Sequence, residues 1–115
     1  MGILSFEDVI AWQKAKELAK NIYNSLKNNR DFSFKDQLQR AAISVGNNIA
    51  EGFERRTNKE LKQFLYIAKG SCGEVRSMLY LALELSYINE EEFRINYQLS
   101  IEISKLLAGF AKKLN

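Results

Sequence analysis

Residues 57–85 decide the fold of this chain, and they read TNKELKQFLYIAKGSCGEVRSMLYLALEL. Apolar residues recur through this stretch at steps of three and four, which is the spacing of one helix face. The members of that face are Leu61, Leu65, Ala68, Cys72, Val75, Leu79 and Ala82. Thr57 and Glu60 have the spacing of an N-terminal capping box, in which the hydroxyl accepts from a free backbone N–H. The stretch therefore predicts one long helix that begins at Thr57 and buries one side.

Three further stretches carry the same two signals, a capping residue and a helical apolar spacing. Helix starts are predicted at Ser5, Ser33 and Asn89, each followed three residues later by an acid. The apolar faces that follow are Trp12, Ala15, Ala19, Ile22 and Leu26; then Phe34, Leu38, Ala41, Val45, Ile49 and Phe53; then Leu99, Ile103, Leu106, Phe110 and Leu114. Short links force neighbouring helices to run antiparallel.

The predicted fold is all-α, an antiparallel up-and-down four-helix bundle with left-handed packing, because steps of three and four form such a seam. A chain of 115 residues without proline and with 46% hydrophobic residues fits a single domain over residues 1–115. At 1.5 Å per residue the bundle would be about 30–40 Å long. We expect its core to include Trp12, Leu38, Ile49, Leu65, Cys72 and Ile103.

The single cysteine, Cys72, excludes an intrachain disulfide and favours a reducing compartment. The N-terminus has no basic stretch followed by an apolar run, so no signal peptide is expected. No apolar stretch is long enough to span a bilayer. We therefore expect a cytoplasmic protein without a membrane partner.

The sequence lacks the residues that most catalytic and metal sites require. There is no histidine, which removes the usual general base and most zinc sites. Two carboxylates beside glycines, Glu51 and Glu74, are the remaining candidates for acid–base chemistry. The alternative is that they form ion pairs with Arg40, Arg55 or Arg76, the common way to tolerate a partly buried charge. We expect no enzyme, no catalytic residue, no metal and no cofactor.

The second helix carries a polar stripe beside its apolar face. Its members are Gln37, Arg40, Ser44, Asn47, Asn48, Glu51 and Arg55. Amides, a hydroxyl and arginine suit fixed hydrogen bonds, so the stripe predicts a network between helices or subunits; the alternative is a solvated surface. Ser71 and Glu74 of the third helix are expected to join it across Gly70 and Gly73, with one acid pairing with Arg40 or Asn48. Its role would be to fix helix register and subunit geometry.

Basic residues are concentrated at the junction of the second and third helices, at Arg55, Arg56, Lys59 and Lys62. The net charge of +3 permits a nucleic-acid partner, although basic and acidic residues are spread evenly along the chain. Glu54 and Glu60 interrupt the cluster, and such a run is often only solvated. The cluster is the candidate for nucleic-acid contact.

Three stretches together resemble a known family. Residues 36–52, DQLQRAAISVGNNIAEG, resemble the signature of the four-helix-bundle proteins encoded in intervening sequences of bacterial 23S ribosomal RNA genes. Residues 6–15 and 64–74 agree with it, so the resemblance spans nearly the whole chain. Gln39 departs from the family pattern, where a second arginine is common. The resemblance implies a four-helix bundle that forms a ring-like homo-oligomer, a pentamer.

Surplus apolar residues on the third helix also favour a homo-oligomer, because monomers rarely expose large apolar patches. They are Phe64, Ile67, Met78, Leu81 and Leu85. The predicted function is a non-enzymatic oligomeric binding or assembly protein that contacts RNA or DNA. The alternative is a protein–protein interaction scaffold that binds no nucleic acid.

Overall fold

Four helices make up most of the chain in the computed structural model, which describes Phe6 and residues 9–114. They are α1 (Ile10–Leu26), α2 (Phe32–Phe53), α3 (Asn58–Glu84) and α4 (Glu90–Lys112). Each helix packs on its neighbour along the chain, and α1 also packs on α4, so the bundle closes on itself. It measures 45 × 22 × 19 Å. The described residues include no strand, and the all-α four-helix prediction is confirmed.

Two of the predicted helix starts are confirmed by their caps. The side chain of Thr57 accepts from the backbone N–H of Glu60 at 3.1 Å, and α3 begins directly after it. Asn89 accepts from the N–H of Glu92 at 2.8 Å, and the Glu92 carboxylate accepts in return from the Asn89 N–H at 2.9 Å. This reciprocal pair satisfies two backbone donors that the first turn of α4 leaves free.

The predicted start at Ser33 is wrong, because Asp31 caps α2. The Asp31 carboxylate accepts from the backbone N–H of Phe34 at 3.2 Å. Aspartate caps helices as well as serine does, and its second oxygen finds another donor in Tyr87. The predicted start at Ser5 lies outside the described residues; α1 begins at Ile10, after Val9 in an extended conformation.

The core is one cluster of buried side chains drawn from all four helices. Leu38, Ile49, Leu65, Cys72 and Ile103 are buried, with exposed fractions of 0–1%, as predicted. Trp12 is only partly buried and packs against this cluster from its edge. Its indole lies 3.6 Å from the place where a Cβ of Gly46 would stand, so a wide ring takes the space beside a small residue.

The apolar face predicted for α4 is wrong over its last turns. Leu106 is 39% exposed, whereas Leu107 is buried with 1% exposure. From Ile103 the buried positions advance by four residues to Leu107 and then Ala111. Phe110 and Leu114 are partly buried against the edge of the core. Two apolar series overlap in this part of the chain. The one that faces inward is Ile103, Leu107 and Ala111, in steps of four residues.

The turn between α2 and α3 brings two helices into close contact at Gly52. A Cβ at this position would lie 2.9 Å from the Cβ of Phe64 and 3.0 Å from the Cδ1 of Leu61. Real Cβ atoms almost never approach other atoms so closely, so the end of α2 needs a residue without a side chain. None of the helices in the described part of the chain is both long and apolar enough to cross a membrane.

Candidate functional site

The predicted basic cluster lies at the turn from α2 to α3, and its four members differ in their surroundings. Arg55 donates from Nη2 to Oε2 of Glu51 at 2.6 Å, and its guanidinium lies 4.8 Å from the centre of the Phe64 ring. Arg56 and Lys59 are exposed, and Lys62 is half-buried. Among the described residues these last three have no ion-pair partner. Glu51 therefore offsets the charge of Arg55, and the other three cations form no ion pair, although Glu54 and Glu60 lie among them in the sequence.

The C-terminus of α4 adds lysines to the same end of the bundle. Lys105 and Lys113 line one groove together with Asn58 and Leu61 from the first turn of α3. Lys112 lies in the last turn of α4, and Lys113 is the C-cap that follows it. We call this the basic end, and its residues are Arg56, Lys59, Lys62, Lys105, Lys112 and Lys113.

The opposite end of the α3–α4 hairpin is acidic. Glu84 closes α3, and Glu90, Glu91 and Glu92 form the first turn of α4. Charges that are spread evenly along the sequence are therefore separated along the hairpin. The signal was present in the sequence, because lysines open α3 and close α4 while four acids flank the loop between them.

The polar stripe of α2 does not form the predicted pairings within one subunit. Arg40 bonds Asp36 at 2.8 Å, and this hydrogen bond and charge raise the pKa of the guanidinium. Asn48 donates to the backbone carbonyl of Ser44 at 2.8 Å, and Glu51 binds Arg55. Within one subunit no acid of the predicted group bonds Arg40 or Asn48, because each group finds a partner one turn away; a pairing across a subunit interface stays a prediction.

One predicted contact does join the stripe to α3. The hydroxyls of Ser44 and Ser71 share a hydrogen bond across the α2–α3 groove. Ser71 also donates to the carbonyl of Ile67 in its own helix. Gln37 and Glu74, the other members of the predicted network, are exposed. Whether this surface meets a second subunit stays a prediction.

The glycines of α3 do not serve the close helix approach that we expected. A Cβ at Gly70 would have nothing within 4 Å, and one at Gly73 would meet only the Arg76 side chain at 3.8 Å. Both positions therefore face away from α2. The expected approach is made instead at Gly52.

The buried polar contacts between helices centre on α4, which sequence reasoning missed. Asn96, Ser100 and Ser104 are buried, with exposed fractions of 3%, 0% and 7%. Arg76 of α3 donates to the Ser104 hydroxyl at 3.0 Å, and Asn21 of α1 donates to the side-chain oxygen of Asn96 at 3.0 Å. The available signal was the spacing of four between these polar residues, which places them on one helix face.

Cys72 has the environment of a structural thiol. Its side chain is fully buried in the core. Burial raises the pKa of the thiol, and a hydrogen bond with Ser104 and the nearby Arg76 charge only partly oppose that effect. A raised pKa keeps the sulfur protonated and unreactive. The described residues hold no cluster of three or more candidate metal ligands.

An apolar surface remains on the side of α3 next to α2. Ile67, Leu81 and Leu85 are 48%, 46% and 46% exposed. Ile67 lies one turn before Ser71, which contacts α2, and Leu85 follows Ser71 by 14 residues, about four turns along the same side. Of the other surplus apolar residues, Met78 is buried and Phe64 is half-buried. We call Ile67, Leu81, Leu85 and the neighbouring polar stripe of α2 the α2–α3 face.

Comparisons with known proteins agree with this architecture. Residues 7–109 match the model of the family described as 23S rRNA-intervening sequence protein. A crystal structure of a protein with unknown function from the S23 ribosomal protein family of Bacteroides thetaiotaomicron is similar, with 28% sequence identity and a TM-score of 0.84. The alignment covers 90% of this chain and 100% of that one. No curated protein matches the chain.

Proposed function

Because the chain belongs to the 23S rRNA-intervening sequence protein family, we propose that it is a non-enzymatic oligomeric binding protein that contacts RNA or DNA. The observation that carries this proposal is the basic end, where Lys105 and Lys113 line a groove with the first turn of α3 and the cations have no ion-pair partners among the described residues. Lysine and arginine side chains in such a position bind phosphates and release the counterions of the polyanion.

Self-association is part of the proposal, and its surface is the α2–α3 face. Exposed apolar side chains there alternate with groups that can form hydrogen bonds, a composition that suits a subunit contact. The resemblance of the sequence to its family favours a ring-shaped pentamer. A ring would repeat the basic end around one axis and so concentrate positive charge. Sedimentation of the purified chain at micromolar concentration tests this part, and a monomer contradicts it.

A salt titration tests the contact with nucleic acid. Purified protein is mixed with RNA and DNA fragments, and binding is followed by gel shift from low to physiological salt. The dissociation constant should rise steeply with salt, because each phosphate contact releases counterions. The double variant Arg56→Ala/Lys59→Ala should bind more weakly and with a smaller salt slope. The matched control is Lys20→Ala/Lys27→Ala, which removes one exposed lysine from α1 and one from its C-cap.

The second candidate is a protein–protein scaffold, which the exposed Ile67, Leu81 and Leu85 favour. A scaffold function predicts intact oligomers that bind neither RNA nor DNA at low salt. The same salt titration therefore distinguishes the two candidate functions. In either case we place the protein in the cytoplasm, where a free thiol such as Cys72 is stable.

A further inference from the structure

A second row of cations continues from the basic end along α3. Lys62, Lys69 and Arg76 follow one another at intervals of seven residues, which is two helical turns. Their Cα atoms therefore lie in a line about 21 Å long on one side of the helix. Arg76 bonds Ser104 of α4, so this line runs beside α4, on the opposite flank from the α2–α3 face.

The three cations have no acidic partner among the described residues. The ion pairs of that part of the chain join Lys14 with Glu102, Arg40 with Asp36 and Arg55 with Glu51. All three cations of the row are half-buried, so part of each side chain lies along the protein surface. The hydroxyl that Arg76 contacts is neutral and leaves its charge in place. Glu84, one turn beyond Tyr80, bounds the row at the acidic end.

Tyrosines and a glycine occupy the positions between these cations. The complete row is Lys62, Tyr66, Lys69, Gly73, Arg76 and Tyr80, with steps of four and three residues. Tyr66 and Tyr80 are 49% and 50% exposed. The rings of Phe93 and Tyr97 lie 5.1 and 5.5 Å from that of Tyr80 and hold it in place. We call this row the α3 track.

Gly73 leaves the middle of the track open. A Cβ there would meet only the flexible end of Arg76, at 3.8 Å, so no packing within the bundle requires glycine. Glycine inside a helix costs about 1 kcal/mol relative to alanine. A half-buried glycine between two cations, with only a flexible side-chain end near it, gives the backbone of a ligand room to approach.

We propose that the α3 track binds a single strand of nucleic acid, with its phosphates on Lys62, Lys69 and Arg76 and its bases stacked on Tyr66 and Tyr80. This inference rests on the proposed function and names the form of nucleic acid that the site takes. Alternating cations and exposed rings match the chemistry of a single strand, whose phosphates and base faces are both accessible. In a duplex the base faces are stacked on one another and cannot meet the tyrosines.

Fluorescence anisotropy of a dye-labelled, pyrimidine-rich RNA strand tests the proposal, with a duplex of the same sequence beside it. The variants are Tyr66→Ala and Lys69→Ala in the full chain. The controls are Tyr23→Ala and Lys20→Ala on α1, where Tyr23 is 44% exposed and so matches Tyr66. Thermal melting and sedimentation of each variant show whether fold and assembly are intact.

The two variants should fail in different ways. Tyr66→Ala should weaken binding of the single strand roughly 5- to 150-fold at every salt concentration, because it removes stacking, and Tyr66→Phe should restore it. Lys69→Ala should reduce the salt slope by about 0.7, the effect of one lost phosphate contact on a single strand. The controls should change neither quantity. The duplex should bind more weakly than the single strand and should not respond to Tyr66→Ala.

Other results overturn the proposal. If the wild type binds RNA but Tyr66→Ala and Lys69→Ala behave like the controls, the track is not the site, although the proposed function stands. If the wild type binds neither strand nor duplex at low salt, the proposed function fails and the inference fails with it. If Tyr66→Ala leaves the fold intact but yields smaller particles in sedimentation, the row is a contact between subunits.

Discussion

The hydroxyl of Tyr87 donates a hydrogen bond of 2.6 Å to Oδ2 of Asp31, and this bond joins the α3–α4 loop to the beginning of α2. The other carboxylate oxygen of Asp31 accepts from the backbone N–H of Phe34. The Phe34 ring in turn meets the Tyr87 ring edge-on, at 5.2 Å between centroids. One carboxylate therefore caps a helix and fixes a loop that is distant in sequence.

This arrangement predicts a stability that depends on acid pH. The Tyr87 hydroxyl, followed by the Phe34 backbone N–H, holds the pKa of Asp31 below its ordinary value of 3.8. The stabilisation is therefore complete above pH 3.8 and is lost as the pH falls through the lower pKa of the folded protein. Tyr87→Phe should lower the urea midpoint at neutral pH and should make its decline on acidification shallower. Tyr23→Phe serves as the control, and equal acid sensitivity of both variants would contradict this role for Tyr87.

Gly52 and Gly70 should respond in opposite directions to alanine. At Gly52 the new methyl group would lie 2.9 Å from Phe64, so Gly52→Ala should destabilise the bundle by about 1–3 kcal/mol. At Gly70 nothing lies within 4 Å, so Gly70→Ala should stabilise it by up to about 1 kcal/mol, because alanine favours the helix. Chemical denaturation measures both. A loss at Gly70 as large as that at Gly52 would show that another surface covers Gly70.

Leu106 and Leu107 offer a direct test of the inward face of α4. Leu107 is buried with 1% exposure, so Leu107→Ala should cost about 2–5 kcal/mol. Leu106 is 39% exposed, and Leu106→Ala should cost clearly less. The free energies of unfolding of the two single variants give the comparison. A larger loss at Leu106 would restore the apolar face that the sequence predicted.

Cys72 should resist thiol reagents while the protein is folded. Burial raises the pKa of its thiol above the ordinary value of 9.0, so the thiolate fraction at neutral or mildly alkaline pH is smaller than in the unfolded chain. Burial also excludes the reagent. The rate of modification should rise sharply across the urea transition and follow unfolding. Rapid modification in the absence of urea would show that the sulfur is accessible.

The sequence was sufficient for the helices and for most of the core, because apolar spacing and caps report on local structure. The predictions were wrong where two nearby residues, or two apolar series, could each serve the same structural role. Ser33 and Asp31 are both good caps, and Asp31 gains Tyr87, which lies far away in sequence. The last turns of α4 hold two apolar series, and which of them is buried depends on the side chains that the other helices pack against it.

Polar contacts were predicted less well for the same reason. A stripe of polar residues shows which side chains share a helix face, but not whether each will bond within its helix or across to another. Arg40 and Glu51 found partners four residues away, whereas Arg76 reached the serines of α4. The separation of charge along the α3–α4 hairpin, by contrast, follows from the positions of lysines and glutamates in the sequence once the two helices are placed antiparallel.

That separation gives the α3–α4 hairpin a permanent electric dipole along its length. A polyanion attracts the lysine-bearing end and repels the glutamate-bearing end. The field of the polyanion therefore exerts a torque on the protein in addition to a net attraction. The torque orients the protein before contact and raises the fraction of collisions that arrive with the correct face forward. Because ions screen this field over about 8 Å at physiological salt, the orientation acts during the final approach. Salt should therefore slow the association step itself.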